Sequence, residues 1–229
     1  MKLLDLINQN KFILIDSLPQ NNLELAKAGE SGGADALKLH LNVYHFASKT
    51  NFGTFLHEKD TLDLIRKNTN CFLGIMPGAK EVAAHIEMDY LSHIGFSFLD
   101  IYYKDMPDWM WDLLDFNKMV ALDSNFSKDI INEIEDKGAD IIEASIIKQE
   151  NYGTNLNEED LKNYEYIAQN TKLPVIIPTQ KKIMPSEIKK LFTIGIKGIM
   201  IGAIVYGHTK EQIQSVTQEY KNNIIEALK

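Results

Sequence analysis

The strongest constraint on this chain is a repeated alternation. Short apolar runs are each followed by turn residues and then by a longer stretch with helical periodicity. Strands are expected at Phe12–Asp16, Ala36–Leu41, Phe72–Met76, Phe98–Tyr103, Met119–Asp123, Ile141–Ile147, Pro174–Ile177 and Gly198–Ile201. Helices are expected at Asn22–Ser31, Glu58–Lys67, Ala79–His93, Asp108–Asp115, Lys128–Lys137, Glu158–Gln169, Pro185–Phe192 and Lys210–Leu228. Gly33, Gly95, Gly138 and Gly195 stand where helices stop. Pro107 suits a first helical turn, and Thr209 with Gln212 has capping-box spacing.

Strands that alternate with helices pair in parallel through right-handed crossovers. The runs are rich in Val, Ile and Leu, as strands buried on both faces are. Eight such units close into a (β/α)8 barrel, which takes roughly 250 residues, and the chain has 229. An open doubly wound sheet would bring a glycine-rich first turn, but that turn reads Ser17-Leu18-Pro19-Gln20. There is no GxGxxG run and no Walker loop. The expectation is one α/β domain, a TIM barrel over residues 1–229.

Charge narrows the partners. Lys plus Arg is 24 and Asp plus Glu is 32, a net charge of −8, which argues against nucleic acid or a polybasic membrane surface. A small anionic ligand needs only a local positive site. The lone Cys71 forms no internal disulfide and points to a reducing compartment. One cysteine beside six scattered histidines has no zinc-site spacing, so neither a metal nor a cofactor is expected. Without a signal-type core or an apolar run of ~18–20 residues, a cytoplasmic, soluble chain is expected.

A barrel of this kind carries its site at the C-terminal ends of the strands. In the second strand the period of two puts Lys38, His40 and Asn42 on one face and Leu37, Leu39 and Leu41 on the other. The leucines must meet the helices, so the polar set points to the barrel axis. A buried lysine there needs a carboxylate or an anionic ligand. Glu143 and Ser145 share a face of the sixth strand, and a carboxyl so buried is paired or has a raised pKa. Asp16 and Asp123 close the first and fifth strands, and Asp100, Tyr102 and Lys104 share a face of the fourth. Many barrels hold phosphate on the loops after strands seven and eight. Here Gly202 and Ala203, opening a short helix Ala203–Tyr206, suit that role, with Thr179 and Lys181 standing where phosphate barrels usually place glycine.

Four segments carry a resemblance: Gly32-Gly33-Ala34-Asp35-Ala36-Leu37-Lys38, Gly138-Ala139-Asp140-Ile141-Ile142, Met184-Pro185-Ser186-Glu187 and Ile201-Gly202-Ala203-Ile204. Together they resemble the ribulose-phosphate-binding barrel superfamily, and most of all its N-acylmannosamine-6-phosphate 2-epimerase family. The resemblance implies a barrel with a phosphosugar-like ligand. It aligns Lys38 with an arginine of that family and Asp123 with an acidic residue. Pro77 stands where the family carries its catalytic lysine, and Pro178 and Thr179 where it carries its catalytic glutamate.

These readings lead to an isomerase- or epimerase-like enzyme working next to a carbonyl of a small phosphorylated substrate. Lys38, His40, Asp123 and Glu143 are the candidate catalytic residues. Asp16, Lys104, Ser145, Thr179, Lys181, Gly202 and Ala203 are the candidate substrate and phosphate contacts. One alternative is a Schiff-base aldolase using Lys148 or Lys104. The other is a catalytically silent barrel that binds a ligand or partner. Trp109 and Trp111 suggest a homodimer face.

Overall fold

A computed structural model describes residues 2–79 and 82–229. The chain runs α1 (Leu3–Gln9), β1 (Ile13–Ser17), α2 (Leu23–Gly32), β2 (Ala36–His40), then a short hairpin of β3 (Tyr44–His45) and β4 (Thr50–Asn51). It continues with α3 (Phe55–Asn68), β5 (Phe72–Met76), α4 (His85–His93), β6 (Phe96–Tyr102), β7 (Asn117–Ala121), α5 (Lys128–Asp136) and β8 (Ile141–Glu143). It ends with α6 (Glu158–Gln169), β9 (Val175–Pro178), α7 (Ile188–Thr193), β10 (Gly198–Ile201), α8 (Ala203–Tyr206) and α9 (Lys210–Ala227). Strands β1, β2 and β5 to β10 pair in parallel in the closed order β1-β10-β9-β8-β7-β6-β5-β2, a (β/α)8 barrel.

The strand period sorts the side chains into two cores. Leu14, Leu37, Leu39, Ile75, Leu99, Val120, Ile142, Ile177 and Ile199 face the helices. Ile13, Ile15, Ala36, Phe98, Met119, Ile141, Ile176 and Met200 fill the barrel. Helix α1 closes the bottom of that inner core by adding Leu3 and Ile7 to it. Its Leu4 N–H donates to Asn117 Oδ1 at 2.9 Å. The helices begin where local chemistry allows. Asn22 accepts from two N–H groups of α2, Ser127 caps α5, Asn157 caps α6, and Thr209 and Gln212 form the capping box of α9.

Several boundaries differ from the sequence reading. Strands β6 and β7 both begin two residues early, at Phe96 and Asn117. Strand β8 stops at Glu143, because Ser145 N–H turns back to Glu143 O at 3.0 Å. The helix expected at Ala79–His93 forms only from His85; its Lys80 and Glu81 lie outside the described residues. Pro107 precedes a 3₁₀ segment, Asp108–Asp112, in place of an α-helix. Trp109 and Trp111 are half-buried against the outer core, with Trp109 packed on His85 at 3.8 Å.

Candidate active site

A cavity of about 200 Å³ opens at the C-terminal end of the barrel. A cavity of ~150 Å³ suffices for benzene, so the space suits a small organic molecule. At its base stand Lys38 of β2, Asp100 of β6 and Glu143 of β8, all buried. Lys38 Nζ lies 2.5 Å from Asp100 Oδ2 and 3.9 Å from Glu143 Oε2. Burial opposes the Lys38 charge, but Asp100 and then Glu143 more than offset it, and the pKa of the ammonium is raised. For Glu143, burial and the neighbouring Asp100 carboxylate hold the pKa well above the usual carboxyl range, with Lys38 opposing. The base of the cavity therefore sets a lysine that holds its charge firmly against Asp100, beside a Glu143 carboxyl that holds its proton more readily than usual.

His40 lies one strand period above Lys38. Its ring packs tilted against both His45 and Phe52, each 4.6 Å away, and neither ring nitrogen has a hydrogen-bond partner among the described residues. Burial, then His45 and Lys38, push its pKa well below the ordinary imidazole value. Burial and Lys38 bring His45 to about 4. Both rings are neutral near pH 7, and His40 offers one N–H donor and one bare nitrogen to whatever enters. Asn21 fixes its backbone, donating to His40 O at 2.7 Å and accepting from His40 N–H at 3.2 Å. The β3–β4 hairpin roofs this side, and Phe46 at its tip meets Tyr152 edge-on at 5.6 Å.

The facing wall is polar and uncharged. Tyr102 OH and Ser145 Oγ are 2.8 Å apart. Gln180 Nε2 donates to Ser145 Oγ at 2.8 Å and to Tyr152 OH at 2.6 Å, and Gln180 Oε1 accepts from Ile147 N–H at 3.0 Å. At the rim, Gly202, Ala203 and Ile204 line the same cavity. The first turn of α8 leaves the N–H groups of Ala203 and Ile204 without intrahelical partners. Thr179 Oγ1 accepts from Gly202 N–H at 3.0 Å and donates to Met200 O at 3.3 Å, bracing this turn.

Of the residues predicted for the site, Lys38, His40, Glu143, Ser145, Thr179, Gly202 and Ala203 line the cavity, and four do not. Asp16 takes the opposite parity in β1 and points to the helices. It is fully buried there and accepts from Thr217 Oγ1 at 2.7 Å. Asp123 falls two residues beyond β7, where its Oδ1 accepts from Asn125 N–H in a tight turn. Lys104 sits in a 3₁₀ turn with its side chain 62% exposed, 3.6 Å from Asp123. Lys181 faces away and is buried with Asp160 at 3.1 Å and Thr154 at 2.9 Å. Lys148, the other lysine of the aldolase reading, is exposed. Asn42 also turns aside, its side chain donating to Pro77 O at 3.0 Å.

The site roles of Asp100, Tyr102, Tyr152 and Gln180 were not assigned from the sequence. Asp100 had a signal as clear as that of Lys38, a charge inside an apolar strand. Tyr152 comes from a long polar loop and had none.

No family model matches this chain, and no curated protein matches it by sequence. Solved structures match it along nearly its whole length. Thiamine phosphate pyrophosphorylase from Pyrococcus furiosus matches with a TM-score of 0.68 and 18% identity, over 97% of this chain and 100% of that one. KGPDC from Streptococcus mutans, in complex with ribose 5-phosphate, matches with a TM-score of 0.71 and 12% identity, over 96% and 100%. Tryptophan synthase from M. tuberculosis matches with a TM-score of 0.72 and 10% identity, over 97% and 96%. At these identities the likeness is one of fold.

Proposed function

We propose that this barrel is an enzyme that binds a small phosphorylated compound at its C-terminal mouth and moves a proton next to the compound's carbonyl, as an isomerase or epimerase does. The observation that carries this reading is the buried trio of Lys38, Asp100 and Glu143 within one cavity. Proton transfer beside a carbonyl needs a base for the C–H and donors for the oxygen that gains the electron pair. Asp100, whose Oδ2 lies 2.5 Å from Lys38 Nζ, is the base. Its Oδ1 is buried without a hydrogen-bond partner among the described residues. The C–H bond breaks, the proton goes to Asp100, and the electron pair moves onto the carbonyl oxygen beside Lys38 and the protonated Glu143. Return of the proton to the neighbouring carbon isomerises the substrate; epimerisation instead needs a second acid that protonates the same carbon from the other face. His40, neutral and unpartnered among the described residues, relays a proton between substrate oxygens.

The phosphate belongs at the rim, on the N–H groups of Ala203 and Ile204 and the turn braced by Thr179 and Gly202. Its support is the fold itself, since one protein that shares it is named for thiamine phosphate and another is held with ribose 5-phosphate. The superfamily suggested by the sequence motifs fits the same picture. An imine mechanism through Lys104 or Lys148 has less support, because neither lines the cavity. The silent-barrel reading has one observation in its favour: among the described residues, the cavity's only ammonium is already paired.

The test is thermal unfolding against sugar phosphates, their unphosphorylated counterparts and inorganic phosphate, followed by turnover assays on the stabilising compounds. A ligand at about 100 times its Kd adds roughly 2.7 kcal/mol, a shift of several degrees. Stabilisation by phosphorylated compounds with turnover supports the proposal. Stabilisation without turnover over a broad panel favours the silent barrel.

A further inference from the structure

His40 stands where its neighbouring strand has ended. Strand β1 pairs with β2 as far as Ser17 opposite Lys38, and the ladder closes with Leu18 N–H donating to Lys38 O at 3.0 Å. The N–H and C=O of His40 face the same side, two residues further on, and need other partners. Asn21, in the loop after β1, takes the place of the missing peptide group. Its Oδ1 accepts from His40 N–H at 3.2 Å and its Nδ2 donates to His40 O at 2.7 Å. The second Nδ2 hydrogen goes to Glu58 Oε2 at 3.1 Å. Glu58 lies in the first turn of α3, and its other oxygen, Oε1, accepts from Gly53 N–H at 3.0 Å. Gly53 closes the foot of the β3–β4 hairpin, where its C=O accepts from Asn42 N–H at 2.9 Å. One run of hydrogen bonds therefore joins the backbone of His40 to the hairpin whose His45 and Phe52 rings cover the His40 ring.

The link depends on the chemistry of both side chains. A primary amide presents a donor and an acceptor side by side, as a peptide group does. An aspartate in place of Asn21 would still accept from His40 N–H but would donate neither to His40 O nor to Glu58. It would also set two carboxylates against each other. A carboxylate at Glu58 accepts from Asn21 and from Gly53 at once. Neither side chain lines the cavity, so each acts through what it holds. We propose that Asn21 and Glu58 are positioning residues, which fix His40 and the roofing hairpin in one relation over the cavity. Breaking the link frees the hairpin and lets water reach both histidines, with the barrel beneath intact. Its bearing on turnover rests on the part of His40 in the proposed function. The link itself does not, and its test needs no ligand.

Three full-length chains are compared: the wild type, Asn21→Asp, and Asn21→Asp combined with Glu58→Gln. Amide hydrogen exchange and imidazole resonances are read on each, with a melting curve to confirm the fold. In Asn21→Asp the amides of β3, β4 and Gly53 are expected to exchange roughly 10-fold faster or more, the size of a hydrogen bond to a charged group, while those of the barrel strands keep their protection. In the wild type burial and Lys38 hold His45 at about 4; with the roof freed, both imidazoles should move towards 6.5. Adding Glu58→Gln brings an amide that donates to the new carboxylate while its oxygen still accepts from Gly53 N–H, so hairpin protection should largely return. Unchanged exchange and unshifted imidazoles in Asn21→Asp overturn the proposal. So does faster exchange spread evenly over the barrel, or a double variant that restores nothing, since either marks an ordinary fold contact. If the link behaves as expected but turnover of a compound the wild type converts is unchanged, the link stands and His40 has no part in the reaction.

Discussion

Lys38 Nζ and Asp100 Oδ2 meet at 2.5 Å inside the barrel, although they come from strands separated in the sheet by β5. Both are nearly sealed from water, so each depends on the other for its charge. Removing one member of a buried pair leaves an uncompensated charge, at a cost of ~3–5 kcal/mol, whereas replacing both is often neutral. Lys38→Met is therefore expected to lower stability by about 3 kcal/mol or more and to abolish turnover. Lys38→Met with Asp100→Asn should recover most of the stability and none of the activity. Denaturant unfolding of the two single variants and the double variant, with turnover on any substrate found, measures both. Additive losses in stability would mean the pair is not coupled.

Asp16 has a different role from the one its position suggested. Burial raises its pKa from 3.8 to about 8, with Thr217 opposing and Asp35 adding to the rise. A carboxyl with a raised folded pKa binds its proton more tightly folded than unfolded, so stability is greatest below about 3.8 and falls as pH rises to about 8. Asp16→Asn keeps the shape and an acceptor for Thr217 but has no proton to lose. It is expected to stabilise the chain by about 2 kcal/mol or more at pH 8 and to have little effect at pH 4. Melting temperatures at the two pH values decide this. Equal effects at both would show that Asp16 is not the titrating group.

The barrel was legible because its signal repeats. Each apolar run needs a partner on both faces, and eight runs separated by helices have few other ways to close. Parity was legible only where polarity marks it. In β2 the alternation of Lys38 and His40 with leucines predicts which side chains face inward. In β1 the run Phe12-Ile13-Leu14-Ile15 is apolar on both faces, so nothing in it shows that Ile15 points in and Asp16 out. Asp123 was misplaced for another reason. A strand's end depends on its neighbours' hydrogen bonds, and Asp123-Ser124-Asn125 forms a local turn instead. Helix α1 escaped notice because its apolar residues, Leu3 and Ile7, make sense only against the barrel floor. The cavity wall depends on residues from separate loops and strands, which no local pattern brings together.

The two neighbouring histidines set an acid limit on the fold. His45 has a pKa near 4 and His40 one well below 6.5, so both bind protons less readily folded than unfolded. Their contribution is fully present above about pH 6.5 and is lost as pH falls towards 4. For His45 the fall from 6.5 to about 4 corresponds to at most about 3 kcal/mol. In the Asp16→Asn background, where the opposing slope is removed, stability should fall on acidification through this window. Imidazole resonances of His40 and His45 should stay unshifted between pH 8 and about pH 5, with His45 moving only near 4. Titration of either ring near 6.5 would contradict this.

Gly74 is required by a neighbour's bulk rather than by its own backbone. It faces the barrel interior from β5, and a Cβ there would lie 2.1 Å from the ring of Phe98 on the adjacent strand. Phe98 is fully buried in the inner core, beneath Lys38, Asp100 and Glu143, and has no room to withdraw. Overpacking of this kind costs typically ~1–3 kcal/mol. Gly74→Ala is expected to lower stability by about 2 kcal/mol or more. Phe98→Leu alone should also destabilise, by shrinking the core, but combined with Gly74→Ala it should recover part of the loss. Chemical denaturation of the four chains gives the coupling energy. A double variant no better than the sum of the singles would show that the clash is relieved elsewhere, through a backbone shift in β5 that would also move Lys38, its neighbour in register.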